Sequence, residues 1–117
     1  MSVARLRAYH AALNAFDLKG VAAMFAPDAE YVSPGLNGVV VGRDAIMRAM
    51  VAYFSEYGDQ HAHDDKIVAL SPHVIQSQWS LRATSSKTGK VLKRHGKETV
   101  TFDQDGLIKR VEVFDLD

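Results

Sequence analysis

Apolar residues recur at helical spacing in the first half of the chain. Between residues 3 and 17 they stand three or four positions apart, which predicts an amphipathic helix. Asp17 is a good N-cap for a short second helix that ends near Pro27. A third helix is predicted from Asp44, as its cap, to about Tyr57. These patterns place the helices before most of the strands.

The rest of the chain has the pattern of β-strands. Val, Ile, Thr and aromatic residues recur between turn signals, and the connections suit antiparallel hairpins. The alternation is clearest from 74 to 84, where the odd-numbered residues form one apolar face. Helices followed by strands favour an α+β domain in which the helices pack across one face of a curved sheet. The predicted strands cover about 29–33, 39–41, 62–70, 74–85, 90–102 and 107–115.

Length and composition restrict the classes of function. With 117 residues the chain is expected to form a single domain, residues 1–117. Fourteen basic residues balance fourteen acidic ones, so neither nucleic acid nor a membrane surface is an expected partner. The absence of cysteine excludes disulfides and thiolate chemistry. The first residues lack an apolar signal core, and a cytoplasmic domain is expected.

A single carboxyl stands out on the predicted apolar face of a late strand. Glu98 has the same parity as the apolar Val100. A bend at Gly96 that switches the parity, or a salt bridge to Arg94 or Lys97, would make Glu98 structural. A functional carboxyl in a pocket is the other interpretation.

A second group of polar residues alternates at the entrance of the strand after the third helix. His61, His63 and Asp65 share one face if this segment is extended. Two histidines and a carboxylate are also typical metal ligands, but a fourth ligand is not apparent in the sequence and no metal is predicted. Because an imidazole titrates near neutral pH, His63 with Asp65 is a candidate acid–base pair.

Three segments resemble a known family. Residues 9–20 (YHAALNAFDLKG) and 24–29 (MFAPDA) resemble the opening of the nuclear transport factor 2 superfamily, which includes SnoaL-like polyketide cyclases and ketosteroid isomerases. Residues 42–46 (GRDAI) resemble the start of that family's third helix, and the likeness covers nearly the whole chain. It implies a cone-shaped, curved antiparallel sheet with three N-terminal helices that enclose a pocket.

The resemblance is strongest to steroid Δ5-3-ketosteroid isomerase, and it implies site residues. In that enzyme a tyrosine and a protonated acid hold a dienolate oxygen while an aspartate before a proline shuttles the proton. Tyr9 falls on the tyrosine and Glu98 on the protonated acid. The base position, before Pro34, holds Ser33, whose hydroxyl is not basic at neutral pH. His63 or Asp65 is the candidate replacement base.

A pocket of this kind needs apolar walls. Several residues whose pattern predicts burial in the core are also suited to line such a pocket. Tyr9 also has a core-filling interpretation. The candidate pocket residues are Leu13, Phe16, Tyr31, Ser33, Met50, Tyr53, Phe54, Tyr57, Trp79 and Val100.

Two functions of different classes follow. The first is an isomerase or lyase type of enzyme that moves a proton on a small apolar carbonyl compound without a cofactor. The second is a non-catalytic domain that binds a hydrophobic ligand or serves assembly. Because domains resembling this one commonly pair through the outer sheet face, a homodimer is expected there, through Val74, Ile108 and Phe114.

Overall fold

The computed structural model describes residues 2–34 and 38–116, which form three helices and six strands. The helices are α1 (Ser2–Asn14), α2 (Leu18–Met24) and α3 (Arg43–Glu56). The strands are β1 (Phe25–Ser33), β2 (Gly38–Val41), β3 (His61–Ser71), β4 (Val74–Thr84), β5 (Val91–Phe102) and β6 (Ile108–Asp115). None of the helices in this part of the chain is long and apolar enough to cross a membrane.

The strands form one curved, unclosed sheet in the order β2-β1-β6-β5-β4-β3. All neighbouring pairs are antiparallel except β1 and β6, which are parallel. The sheet is therefore mixed, whereas an antiparallel sheet was predicted. Turn residues in the sequence indicate pairing only between strands that follow one another along the chain. β1 and β6 are far apart in the sequence, so their parallel pairing has no such signal. The α+β class and the three helices on one face are confirmed.

The first two helices are shorter than the sequence predicted. The chain leaves α1 at Asn14 because Phe16 adopts a left-handed backbone conformation, with φ of 56°. Asp17 caps α2 as predicted, and its Oδ1 accepts a hydrogen bond from the Gly20 amide at 3.0 Å. The early end of α1 turns the chain before the position predicted from periodicity.

The chain passes directly from α2 into β1, and Pro27 lies inside that strand. The pairing of β1 with β6 shifts between Phe25 and Glu30, and this irregularity accommodates a residue that cannot donate a ladder hydrogen bond. In α3, Gly42 is the N-cap, so Asp44 lies in the first turn and does not cap the helix.

The core lies between the helices and the inner face of the sheet. The predicted alternation in β4 is confirmed, because Ile75, Trp79 and Ala83 are buried with the other odd-numbered residues. Ile108, predicted on the outer face, is fully buried in this core. Its strand begins at a register shift that the sequence did not indicate.

Candidate functional site

A histidine bonded to two carboxylates lies under the helices. His10 of α1 places Nδ1 2.8 Å from the Asp64 carboxylate of β3 and Nε2 2.5 Å from Glu98 Oε1 of β5. The three side chains are between 8% and 17% exposed. We call this arrangement the Asp64–His10–Glu98 triad.

His10 in the triad is an imidazolium. A neutral imidazole has one N–H and would turn a lone pair toward the second carboxylate, whereas an imidazolium donates to both. Burial alone would lower the pKa of His10, but the charge of Glu98 and the hydrogen bonds to both carboxylates outweigh it and raise the pKa to about 10. As an ion triad, the site carries one net negative charge.

The position of Asp64 depends on a contact between α1 and the edge strand β3. The Asn14 side chain donates to the Ala62 carbonyl at 2.9 Å and accepts from the Ala62 amide at 2.9 Å. This pair of bonds replaces the missing neighbour of an edge strand. It fixes β3 against α1 two residues before Asp64, on the strand face that points toward His10.

Glu98 faces inward because β5 continues through Gly96 without a register shift. Trp79 pairs with Gly96 and Ser77 with Glu98 in one unbroken ladder. The structure therefore rules out the interpretation in which a bend at Gly96 switches the parity of β5. The partner of Glu98 is His10, and neither Arg94 nor Lys97 pairs with it in the described structure.

The triad borders a mainly apolar cavity of about 110 Å³. Since one water molecule needs about 10–15 Å³ of such space, the cavity has room for a small organic group. Helices α1 and α3 and strands β1, β3, β4, β5 and β6 all contribute to its walls. Its lining comprises His10, Leu13, Tyr31, Ser33, Met50, Tyr53, Phe54, Gln60, Ala62, Asp64, Trp79, Leu81, Arg94, Glu98 and Val113.

Two tyrosines lie close to Glu98. Tyr31 lines the cavity, whereas Tyr9 is completely buried behind the wall, with its ring edge-on to Phe25 at 5.7 Å. Burial first, and the charge of Glu98 next, raise the pKa of Tyr31, so its phenol stays protonated at neutral pH. Burial also raises the pKa of Tyr9. Tyr31 is therefore the phenol that a ligand in the cavity meets.

The far end of the cavity is built around Arg94. Its guanidinium donates to the Asp115 carboxylate, at 2.6 Å from Nη2, and lies 5.4 Å from the centre of the Trp79 ring. Arg94 and Tyr53 also belong to the wall of a hollow on the surface. They separate the cavity from this hollow.

Most of the pocket residues predicted from the sequence line the cavity. Val100 is the exception within the sheet, because it is buried in the core without reaching the cavity. Those that line it are Leu13, Tyr31, Ser33, Met50, Tyr53, Phe54 and Trp79.

The predictions for Phe16 and Tyr57 are corrected by the structure. Phe16 follows the early end of α1, is 39% exposed and packs edge-on against Phe54 at 5.4 Å. Tyr57 is the C-cap of α3 and lines the surface hollow. Both residues lie at helix ends, where the helical stripe no longer points into the core.

The structure also corrects the placement of His63 and Asp65. Their side chains are 72% and 45% exposed, and His63 Nδ1 lies 3.1 Å from Asp65 Oδ1 on the outer face of β3. Asp65 accepts a second hydrogen bond from Ser80 there. They do not reach the cavity, and within residues 2–34 and 38–116 no cluster of His, Asp or Glu side chains is arranged to hold a metal ion.

Two triad members were missed by the sequence reasoning. His10 lies on the predicted apolar stripe of the first helix, where a histidine among leucines and alanines was a usable signal. Asp64 has the parity opposite to His63, and the contact of Ala62 with Asn14 places the even positions at the start of β3 on the inner face. A register shift after Asp64 then reverses this parity. The sequence contains no local indication of that contact.

A family model for the SnoaL-like domain matches residues 6–111 of this chain. No protein of curated function is significantly similar to the chain in sequence.

Solved structures share the fold at low sequence identity. Protein RV0760c from Mycobacterium tuberculosis, in complex with estradiol-17beta-hemisuccinate, is 16% identical with a TM-score of 0.86, over 97% of this chain and 92% of that one. SalBIII, an epoxide hydrolase/cyclase-like enzyme of salinomycin pyran ring formation, is 16% identical with a TM-score of 0.87, over 98% and 90%. TerC, co-crystallised with polyporic acid, is 20% identical with a TM-score of 0.81, over 98% and 91%. At these identities the likeness concerns the fold.

Proposed function

The chain belongs to the family of SnoaL-like domains, and on this premise we propose that it is an enzyme that moves a proton on a small, apolar carbonyl compound. An isomerase or a lyase performs such a reaction. The observation that carries the proposal is the buried His10, bonded through both ring nitrogens to carboxylates beside an apolar cavity. A buried ion triad is costly to maintain for stability alone, which favours a chemical role.

Glu98 is the proposed base. His10 engages Oε1, so Oε2 is the oxygen that can accept a proton from the carbon next to the carbonyl of a bound compound. The C–H bond breaks, its electron pair forms a C=C bond, and the carbonyl oxygen becomes an enolate. Where the enolate is conjugated to a C=C bond, transfer of the proton to another carbon completes an isomerisation, whereas its return to the same carbon restores the substrate. Either transfer regenerates the carboxylate.

Tyr31 is the proposed donor to the enolate oxygen. Its phenol lines the cavity near Glu98. Because the oxygen and the α-hydrogen of a carbonyl compound are close together, one bound molecule can contact Tyr31 through its oxygen and Glu98 through its α-hydrogen. Because its pKa is raised, the phenol donates a hydrogen bond to the enolate without losing its proton at neutral pH.

These roles differ from those that the ketosteroid isomerase resemblance implied. There Glu98 was a protonated donor and Tyr9 its partner. In the proposed mechanism Glu98 accepts from His10 and acts as the base, and Tyr31 takes the place of Tyr9 at the cavity wall. Ser33 lines the cavity as a polar group without a basic function.

The ligands of two structural relatives support binding of a small molecule. RV0760c was crystallised with estradiol-17beta-hemisuccinate and TerC with polyporic acid. We propose a small ligand for this cavity too, and the apolar side chains of Met50, Phe54 and Trp79 in its walls suit an apolar one.

Binding without turnover is the second candidate function. Ser33 favours it, because the position that carries the base in the resembling enzyme holds a hydroxyl here. In this case the triad orients a ligand and exchanges no proton with its carbon atoms.

Deuterium exchange into 2-tetralone distinguishes the two functions. The bicyclic ketone is incubated in D₂O at neutral pD, and loss of its α-proton signals is followed by NMR. The proposed enzyme accelerates the exchange, and Glu98→Gln lowers the protein-catalysed rate by about 100-fold. Glu112→Gln, on the outer sheet face, is the matched control and keeps the rate.

Calorimetric titration with the same ketone shows whether it binds, which is needed if the protein does not accelerate the exchange. Exchange at the buffer rate with bound 2-tetralone contradicts the catalytic proposal and supports the binding function. An unchanged rate in Glu98→Gln contradicts the assignment of the base.

We propose in addition that two copies pair through the outer face of the sheet. Cross-strand pairing connects one row of residues across that face of the sheet. Val39 and Val68 are the two ends of the row, which passes through Val32, Glu112, Thr99 and Gln76. Both are more than one third exposed, as are Leu70 and Phe114. Sedimentation velocity at micromolar concentration is expected to give a dimer that Leu70→Lys weakens, and a monomer in the unaltered protein contradicts the pairing.

A further inference from the structure

We infer that Arg94 and Tyr53 form a binding site for an anionic oxygen of the ligand, at the end of the cavity away from the triad. The ligand is then a mainly apolar ring compound that carries a carboxylate or an acidic phenol opposite its reacting carbonyl. This inference rests on the proposed function, whose substrate class it narrows.

The guanidinium of Arg94 has a donor to spare. Asp115 accepts from Nε and Nη2, at distances from 2.6 to 3.2 Å. Even with one further N–H directed at Tyr53, two of the five N–H groups of the guanidinium are left for another partner. The Arg94 side chain is 15% exposed while that of Asp115 is 40% exposed. Water therefore screens the carboxylate more than the guanidinium, and Arg94 keeps an attraction for a second anion.

Tyr53 brings a second donor to the same place. Its hydroxyl is buried and, within the described part of the chain, has no partner that meets hydrogen-bond geometry. The phenol oxygen lies near the Arg94 guanidinium and is placed to accept from it, which leaves the hydroxyl proton for a ligand oxygen. Since buried hydroxyls are normally bonded, a donor that ends in a cavity is suited to a ligand oxygen.

The two polar ends of the cavity are separated by an apolar middle. Arg94 and Glu98 lie on the same face of β5, four residues apart, which corresponds to about 13 Å along a strand. Trp79 pairs with Gly96 between them, and Leu13 and Val113 also line the cavity. A ring system with oxygen at both ends matches this order of polar, apolar and polar walls.

The charges of the cavity fix the direction in which such a ligand enters. The Asp64–His10–Glu98 triad has one net negative charge and repels an anionic group. Arg94 and Asp115 are neutral as a pair, but only the guanidinium lines the cavity, and it attracts an anion there. Because Arg94 and Tyr53 also border the surface hollow, an anion beside them stays near solvent and loses less hydration than at the triad. The neutral carbonyl end is thereby directed to Glu98.

The test compares 2-naphthoate with 2-naphthamide, which has the same shape without the charge, by isothermal titration calorimetry at neutral pH. We expect the wild-type protein to bind the carboxylate about tenfold more tightly than the amide. Arg94→Gln removes this preference, and Arg110→Gln, which alters an arginine of the outer sheet face, retains it.

A second variant tests the site independently if Arg94→Gln does not fold. Tyr53→Phe deletes one hydroxyl and is expected to weaken binding of 2-naphthoate severalfold while 2-naphthamide binds as before. Equal binding of both probes to the wild-type protein overturns the anion site and leaves the proposed function standing. Binding of neither probe, together with no binding of 2-tetralone, contradicts the proposed function itself.

Discussion

At the scale of single residues, the triad makes each member depend on the others. His10→Leu removes the cation between two buried carboxylates and is expected to lower the free energy of unfolding by about 3–5 kcal/mol at neutral pH. Glu98→Gln, which removes one of the charges, is also expected to lower the free energy of unfolding. In the double variant the loss is expected to be smaller than the sum by about 1–3 kcal/mol, measured by urea unfolding. Additive losses would show that the two residues do not interact.

The raised pKa of His10 has a consequence for stability at alkaline pH. The pKa is about 10 in the folded protein and about 6.5 when unfolded. The stabilisation is therefore complete below about pH 6.5 and is lost as the pH rises toward 10, because the unfolded state loses the proton first. The wild-type protein should lose more stability than His10→Leu between these pH values. His63→Leu, which alters an exposed histidine, is the control and should show the same dependence of stability on pH as the wild type. If the stability of all three proteins depends on pH in the same way, the raised pKa of His10 is contradicted.

The sequence identified one triad member by parity and missed the other two. Glu98 was recognisable because a carboxyl shared a strand face with Val100. The partner of Glu98 was not recognisable, since His10 comes from a helix 88 positions away and Asp64 from an edge strand. Pairing of this kind depends on tertiary contacts that leave no local pattern.

At the scale of elements, Asn14 joins α1 to β3. Asn14→Asp exchanges an amide donor for an oxygen that faces the Ala62 carbonyl, and the expected loss is about 1–3 kcal/mol in the free energy of unfolding. The Ala62 amide should also exchange faster with solvent deuterium. Gln78→Glu, an amide-to-acid change at an exposed position of β4, is expected to be nearly neutral. Equal effects of the two changes contradict the joining role.

Strand β5 requires a glycine at position 96. A Cβ there would stand 1.9 Å from the Phe114 carbonyl oxygen and 2.9 Å from Trp79 Cζ2. Gly96→Ala is therefore expected to cost about 1–3 kcal/mol and to weaken binding of 2-naphthamide, because Trp79 must move. Gly58→Ala, where the nearest atom is 3.6 Å away, serves as the control. Unchanged unfolding and binding in Gly96→Ala would contradict this role.

Element types were predictable, and their ends were less so. The strands after α3 follow the alternation of Val, Ile and aromatic residues, and β4 was predicted nearly to its ends. The end of α1 was misplaced because Phe16 continues the apolar stripe while its backbone leaves the helix. Pro27 was read as a helix stop, yet it lies inside β1, where a register shift tolerates it.

At the scale of the whole molecule, the site exists because distant segments meet. The triad joins α1, β3 and β5, and the parallel pairing of β1 with β6 brings Tyr31 to the same cavity. Resemblance to a family predicted the overall architecture, since it supplies the order of elements in space. The particular polar groups in the cavity depend on this chain's own residues.

The protonation state of His10 tests this account most directly. In protein labelled with ¹⁵N-histidine, the His10 ring signals are assigned by comparison with His10→Leu and followed between pH 6 and pH 11. We expect both ring nitrogens to remain protonated through pH 8.5, with a midpoint at a pKa of about 10. A midpoint near 6.5, the value of a free imidazole, would contradict the ion triad and the mechanism built on it.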